Sequence, residues 1–199
     1  MNSIYIYGAS GHGLVVAEIA IACGYDDIIF IDDGENSFPT FEHIKRTNYI
    51  PIALGVGNNS MRAKLFEKVK SNGFMIATLI HPKSIISISA TIGQGTVVLP
   101  NVVVNAKAMV GHGVILNTGC IIEHECIIND FSHISPNVAL AGNVQVGKYT
   151  HIGIGSNIIQ AIEIGHNTIL GAGSIVVKNI GSFKKAYGNP CKEIENIDE

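Results

Sequence analysis

Residues 121–146, IIEHECIINDFSHISPNVALAGNVQV, decide the fold because they place an aliphatic side chain at every sixth position. The same spacing runs without a break through sixteen positions, from Ile86 to Val176. A small or medium-sized residue often follows four positions later, as at Cys126 and Ser132. A period of six fits neither an α-helix nor a simple alternating strand. It predicts a chain that turns a corner every six residues, with three hexads in each coil.

Residues eighteen apart then stack one above another at the distance between neighbouring strands, roughly 4.8 Å. The repeat predicts a three-sided prism, a parallel β-helix with five complete coils over residues 86–175. Aliphatic side chains point inward, small residues lie beside them, and the corners favour Gly, Asn or Asp because φ is positive there. Cys120 and Cys126 take the small inward position, so we expect core thiols rather than nucleophiles.

The first eighty residues alternate strands, glycine-rich turns and helices. A strand at 3–7, the turn GASGHG at 8–13 and a helix at 14–23 begin the series. Further strands are predicted at 27–31, 51–56 and 74–79, with a second helix ending near residue 71. This alternation predicts a small parallel α/β sheet, about half of a Rossmann fold.

Three groups of residues fall at the carboxyl ends of these strands, where ligands of such sheets bind. They are Ser10, Gly11 and His12 in the first turn, Asp32 with Asp33, and Gly57. The turn reads GxxGxG rather than the dinucleotide motif GxGxxG, and the domain is half the usual size. A nucleotide diphosphate therefore fits better than a dinucleotide, with its phosphates at the helix N-terminus. A turn that merely needs glycines is the alternative.

The predicted organisation is an α/β domain at 1–80, a β-helix at 81–178 and a short C-terminal tail at 179–199. The formal net charge of the 199 residues is −3, with no Lys/Arg block, which argues against nucleic-acid binding. No apolar run approaches the ~18–20 residues that span a bilayer, and no signal peptide is visible. The four cysteines show no CxxC pair, so we expect reduced thiols in a cytoplasmic protein.

One histidine stands beside carboxylates on an outward part of the prism: His124, next to Glu125. A carboxylate beside an imidazole orients it and raises its basicity. The residues one coil away are Ala106 and Gly142, both small enough to leave a groove around the ring. This pattern predicts a general base, and the alternative is a solvated corner whose charges face water.

A second set of residues suits a long, thin ligand. His133 should stack on His151, eighteen residues later. We predict that four residues form one lining along the prism that would fit a pantetheine arm: His133, Gly142, Ile154 and Ala172.

The motifs that carry a family resemblance are YGASGHG (7–13), Asp32-Asp33, GNN (57–59), LNT (116–118), IEHEC (122–126), FSH (131–133), AGNV (141–144) and GNP (188–190). With them the chain resembles, essentially end to end, the bacterial sugar acetyltransferases that modify UDP-linked 4-amino sugars. Sialic-acid and perosamine acyltransferases share that architecture. The resemblance implies that the β-helix is left-handed and that the protein is a homotrimer with its CoA site between subunits.

The resemblance also implies residue roles. His124 looks like the general base, with Glu125 raising its basicity, and Asn117 looks like a substrate contact. The nucleotide-sugar pocket would contain Ser10, Gly11, His12, Asp32, Asp33 and Gly57. Contacts to acetyl-CoA would come from His133, Gly142, Ile154 and Ala172. The expected reaction is direct attack of a sugar amine on the thioester without any metal, and backbone N–H groups near Gly142 would stabilise the oxyanion.

Three other readings compete with this one. A zinc enzyme of the γ-carbonic anhydrase type pairs two histidines five residues apart, and no such pair occurs here. An O-acetyltransferase acting on sialic acid or a related surface sugar would keep the same His–Glu pair. A non-catalytic protein that binds sugar nucleotides would not need that pair.

Overall fold

The N-terminal domain is a three-stranded parallel sheet flanked by two helices. The computed structural model describes residues 2–44 and 50–197. The elements of the domain are β1 (Ser3–Tyr7), α1 (His12–Ala22), β2 (Asp27–Ile31), a 3-10 turn (Phe41–His43), β3 (Ile52–Leu54) and α2 (Asn59–Ser71). The strands lie in the order β2-β1-β3. The predicted α/β alternation is confirmed for these elements.

The predicted fourth strand at 74–79 is wrong as a member of this sheet. The segment meets the sheet in a single bridge between Ile76 and Ile52, where Ile52 N donates to the carbonyl oxygen of Met75 and Ala77 N donates to that of Ile52, both at 2.8 Å. Leu79 instead pairs with Val97, because it begins the first coil of the β-helix.

The second part of the chain is a parallel β-helix of two-residue strands on three faces. Face 1 contains β4 Leu79–Ile80, β7 Val97–Val98, β10 Ile115–Leu116, β13 His133–Ile134, β16 His151–Ile152 and β19 Ile169–Leu170. Face 2 contains β5 Ile85–Ile86, β8 Val103–Val104, β11 Ile121–Ile122, β14 Ala139–Leu140, β17 Asn157–Ile158 and β20 Ile175–Val176. Face 3 contains β6 Thr91–Ile92, β9 Met109–Val110, β12 Ile127–Ile128, β15 Gln145–Val146 and β18 Glu163–Ile164. The β-helix therefore begins one hexad before the predicted repeat.

The second residue of each strand points into the prism, as the repeat predicts. Leu116, Ile122 and Ile134 are fully buried. The small inward residues use their hydroxyl groups to bridge coils: Ser132 Oγ donates to the carbonyl oxygen of Gly147 at 2.7 Å, and the other Ser and Thr at this position are also buried. The interior is apolar except for hydroxyl groups that have an acceptor.

The corners explain the glycine and asparagine content of the repeat. Every sixth residue from 95 to 173 has positive φ, and nine of these fourteen are Gly or Asn. The glycines that follow the aliphatic position have a different role. A Cβ on Gly147 would lie 2.4 Å from the backbone nitrogen of His166 in the next coil. These glycines permit the close approach of successive coils.

The predicted tail is a β-hairpin. Strands β21 (Lys184–Gly188) and β22 (Cys191–Asn196) are antiparallel, and β21 extends face 1 by pairing with β19. Residues 198 and 199 of the predicted tail lie outside the described residues. Among the helices of the described chain, none has the length and apolar character needed to cross a membrane.

The N-terminal domain covers the first coils of face 1. The outward residues Leu79, Val97 and Ile115 are at most 1% exposed. Phe66 of α2 packs edge-on against Phe131, at a ring-centroid distance of 5.4 Å. We call this contact between the N-terminal domain and face 1 the domain seam.

Candidate active site

The edge between faces 2 and 3 carries the predicted base. His124 and Glu125 lie between β11 and β12, and both side chains are more than half exposed. His124 Nδ1 is 3.2 Å from Glu125 Oε2. With Nδ1–H donating to the carboxylate, Nε2 is left as the acceptor for a proton from substrate. The pair is therefore accessible and oriented.

The predicted stacking around His124 is confirmed. Asn143 N donates to the carbonyl oxygen of His124, and Glu125 N donates to that of Ala106, both at 2.9 Å. A Cβ on Gly142 would lie 2.5 Å from both Cε1 and Nε2 of the imidazole. The ring thus rests on the bare backbone of Gly142, and a larger residue would displace it.

Some glycines at this end of the sheet are required by close packing, whereas others border open space. A Cβ on Gly13 would lie 1.9 Å from the carbonyl oxygen of Gly8, so this residue is required for packing. A Cβ on Gly11 would have no atom within 4 Å. A Cβ on Gly57 would have only the Cβ of His12, at 3.8 Å. Helix α1 begins after Gly11 with no side-chain cap and no acidic residue in its first turn. Its N–H groups can receive an anion.

The two aspartates hold the walls of a cleft. Asp32 accepts from the backbone N–H groups of Ala9 and Gly34 at 2.9 and 2.8 Å, and the Ala9 bond chiefly lowers the pKa of Asp32. Asp33 accepts from the Tyr7 hydroxyl and, at 2.8 Å, from Lys68 Nζ. The cleft beside them is about 350 Å³, with Val56, Met61 and Leu65 on its apolar side.

Three imidazoles meet at the domain seam. The His133 and His151 rings stack with centroids 4.7 Å apart, as predicted, and the His12 ring lies 6.5 Å from His133. Asn117 Nδ2 donates to His133 Nε2 at 3.0 Å. Desolvation lowers the pKa of His12 to about 4 and that of His133 to about 3, so both are neutral at pH 7. His12 Nε2 is buried and has no hydrogen-bond partner within the described residues.

The prediction of one lining along the prism is wrong for a single chain. His133 lies on face 1, Gly142 on the edge between faces 2 and 3, and Ile154 and Ala172 on the edge between faces 1 and 2. Only the last two stack, with Gly173 N donating to the carbonyl oxygen of Ile154 at 2.8 Å. A six-residue side of the prism spans roughly 20 Å, so these groups are too far apart to touch one thin ligand segment.

The cysteines are placed as predicted. Cys120 and Cys126 are fully buried, and desolvation raises the pKa of Cys120 to about 12. Neither thiol can act as a nucleophile at neutral pH. Over the ranges 2–44 and 50–197, no three His, Cys, Asp or Glu side chains are grouped to hold a metal ion.

The sequence did not single out Arg62, which is fully buried at the domain seam. One signal was present: Arg62, Phe66 and Val69 share the buried stripe of α2. A basic residue at such a spacing on a core-facing stripe indicates a buried partner set.

Comparison with known proteins finds a family model that matches the N-terminal domain and a curated relative that matches about half of the chain. Residues 3–69 match the PglD N-terminal domain family. UDP-N-acetylbacillosamine N-acetyltransferase of Bacillus subtilis strain 168 is 36% identical over 113 residues, covering 49% of this chain. The match spans about half (51%) of that relative's own length.

Solved structures of two proteins match nearly the whole chain. The acetyltransferase domain of PglB from Neisseria gonorrhoeae FA1090 is 37% identical, with a TM-score of 0.91, covering 98% of this chain and 100% of that one. The same domain has been solved in complex with acetyl coenzyme A. A variant of perosamine N-acetyltransferase from Caulobacter crescentus, in complex with CoA and GDP-perosamine, is 30% identical with a TM-score of 0.92. The match covers 98% of this chain and 97% of that protein.

Proposed function

Since this chain belongs to the PglD-like sugar N-acetyltransferase family with a hexapeptide-repeat β-helix, we propose that it acetylates the 4-amino group of a UDP-linked amino-dideoxy sugar. Acetyl-CoA is the donor. The observation that carries the proposal is the exposed His124–Glu125 pair resting on Gly142. An amine acceptor must lose a proton when it is acylated, so the reaction needs a base of this kind.

The proposed reaction is a direct transfer. The sugar nitrogen attacks the thioester carbonyl carbon, its proton passes to His124 Nε2, and a C–N bond forms. The C–S bond then breaks, and the departing CoA thiolate takes up the proton. The buried state of Cys120 and Cys126 favours this route over an acyl-enzyme.

The developing oxyanion needs a hydrogen-bond donor near the base. Within the described residues the N–H of Gly142 has no acceptor, while the neighbouring Asn143 N–H is used by His124. A free backbone donor beside the imidazole supports an oxyanion contact here, an interaction typically worth a factor of 10²–10³ in kcat.

The separation of the site residues supports a trimeric enzyme. Face 2 is bounded by two edges, one carrying His124 and Gly142 and the other carrying Ile154 and Ala172. Its outward side chains are mainly apolar: Ile85, Val103, Ile121, Ala139, Asn157 and Ile175. If face 2 of each copy faces a three-fold axis, the base-bearing edge of one subunit meets the other edge of its neighbour. We propose that the complete site forms at this junction.

The nucleotide part of the acceptor is proposed to occupy the turn and cleft of the N-terminal domain. The uncapped start of α1 suits the diphosphate, and the cleft beside Asp32 suits the nucleoside. The name of the Bacillus subtilis relative, which is 36% identical over 113 residues, supports UDP as the carrier. The structure solved with GDP-perosamine, 30% identical over 98% of this chain, makes GDP the alternative.

The test is release of the CoA thiol with acetyl-CoA and a panel of acceptors. The panel contains a UDP-4-amino-4,6-dideoxy sugar, a GDP-4-amino sugar and free sialic acid. We expect fastest turnover on the UDP sugar and a loss of about 10²–10⁴-fold in His124→Ala. His166→Ala, at an exposed histidine between faces 3 and 1, is the matched control and should retain parental activity with the same oligomer on gel filtration. Turnover only on sialic acid would show that the acceptor is sialic acid and not a UDP-linked amino sugar. No turnover on any acceptor would contradict the proposal.

A further inference from the structure

Arg62 joins three separate segments through one guanidinium group. Nε donates to the carbonyl oxygen of Gly113 at 2.6 Å, and Nη1 donates to that of Gly57 at 2.9 Å. Nη2 donates to the carbonyl oxygen of Phe131 at 2.9 Å and to Asn59 Oδ1 at 2.8 Å. The segments are the loop before α2 and two successive coils of the β-helix. Arginine alone has five N–H donors in a fixed fork, so no other side chain can make this set of bonds.

Within the described residues, the charge of Arg62 is held without a counter-ion, since none of their ion pairs includes it. Its acceptors are carbonyl oxygens and one side-chain amide. Desolvation lowers its pKa to about 9, so the group stays charged at neutral pH. A buried cation that depends wholly on oriented carbonyl groups fixes those groups in turn, because moving one of them leaves a charged donor unsatisfied.

The segments that Arg62 joins carry the two parts of the predicted ligand site within one chain. Gly57 borders the predicted nucleotide-sugar pocket, and Phe131 with Ser132 leads directly into His133. The His12 and His133 rings face each other across the same seam, 6.5 Å apart. The contacts of Arg62 with both parts therefore fix the position of the pocket relative to the β-helix.

We propose that Arg62 is a positioning residue that fixes the Gly57 loop of the N-terminal domain against the coil that carries His133. The proposal rests on the proposed function, since it assigns Arg62 to the alignment of the acceptor with the donor. Arg62 contacts neither substrate itself, because its donors are all used inside the protein. Its loss should therefore misalign bound substrates rather than prevent their binding.

The test compares Arg62→Lys with the parent, by kcat for acetyl transfer and by separate titration of each substrate. Lysine keeps the charge but cannot reach three segments at once. We expect kcat per folded protein to fall about 10²-fold, the cost of a misplacement near 1 Å. The dissociation constants of acetyl-CoA and of the nucleotide sugar should change less than about threefold.

Val146→Ala is the matched control. Val146 is buried on face 3, away from the seam, so its truncation lowers the melting temperature without touching the alignment. It should keep kcat within about twofold of the parent. Equal losses of kcat in the two variants, or an unchanged kcat in Arg62→Lys, would overturn the proposal. Absence of transfer by the parent would instead contradict the proposed function.

Asn59→Ala provides a second variant if Arg62→Lys does not fold. Asn59 Oδ1 accepts from Arg62, and its Nδ2 donates to the carbonyl oxygen of Tyr149 at 2.9 Å, so this truncation weakens the same connection. We expect kcat to fall about three- to tenfold with both dissociation constants retained. A parental kcat in this variant would also overturn the proposal.

Discussion

Gly142 allows a test of the active site at the scale of one methyl group. A Cβ at this position would lie 2.5 Å from Nε2 of His124, so Gly142→Ala must push the imidazole out of its place beside Glu125. The backbone of Gly142 does not have positive φ, so alanine adds no conformational strain. We expect kcat to fall about 10²-fold, since a displaced base loses its alignment, with a loss of stability below about 1 kcal/mol.

The matched control is Gly181→Ala. Its added Cβ would meet nothing closer than 3.4 Å, and its φ is not positive. Thiol-release kinetics and urea denaturation of the two variants separate displacement of the base from general damage. Parental kcat in Gly142→Ala would mean that His124 does not act from the observed position.

At the scale of elements, the domain seam makes stability depend on pH. His133 is neutral in the folded chain because desolvation lowers its pKa to about 3, whereas in the unfolded chain its pKa is near 6.5. Below pH 6.5 the unfolded state binds a proton that the folded state does not bind. The free energy of unfolding therefore falls as the pH drops from 6.5 toward 3, by up to about 1.4 kcal/mol per pH unit.

We expect His133→Gln to remove the contribution of His133 to this dependence, while that of His12 remains. Between pH 7 and pH 5 its free energy of unfolding should fall by about 2 kcal/mol less than that of the parent. Urea denaturation at both pH values, at one protein concentration, measures the difference. The variant His166→Gln, at an exposed histidine, should show the full parental decrease. An identical decrease in all three proteins would show that His133 is already protonated at pH 5.

The elements also show what the sequence could predict. A period of six is a direct consequence of the corner geometry, so inward residues such as Ile122 and Cys126 follow from the repeat alone. The period does not say which of three faces a residue occupies, because only a separation of eighteen returns the chain to the same place. His124 and Gly142 are eighteen apart and stack, whereas His133 is nine from Gly142 and twenty-one from Ile154. Gly142 and Ile154 share a hexad position but are twelve apart, so they lie on different edges of the prism, and His133 shares a hexad position with neither.

Contacts between the two domains could not be predicted in the same way. No local pattern indicates that His12 meets His133, or that Arg62 reaches the carbonyl oxygen of Gly113, because these contacts join residues 51 or more positions apart. The hairpin of β21 and β22 was also missed, since its pairing with β19 depends on the exposed end of face 1 rather than on its own alternation.

For the whole molecule, the distribution of site residues over two edges of face 2 has a consequence for assembly. A closed three-fold ring repeats one junction three times, and each junction combines the His124 edge of one copy with the Ala172 edge of the next. A site of this kind is complete only in the ring. Two inactive variants that damage opposite edges should therefore complement each other.

We expect co-expression of His124→Ala with Ala172→Trp to restore activity. The first variant lacks the base, and the second fills the exposed position of Ala172 with an indole that blocks the proposed pantetheine slot. Every mixed trimer contains one junction with an intact His124 edge and an intact Ala172 edge. In an equal random mixture, six of eight trimers are mixed and one junction in three is intact, so about one quarter of parental sites should work. Purification through two different tags and thiol-release kinetics measure this fraction. Each variant alone should remain inactive, and so should the two variants mixed without subunit exchange. If the site is built within one chain, the mixed trimers should also show no recovery.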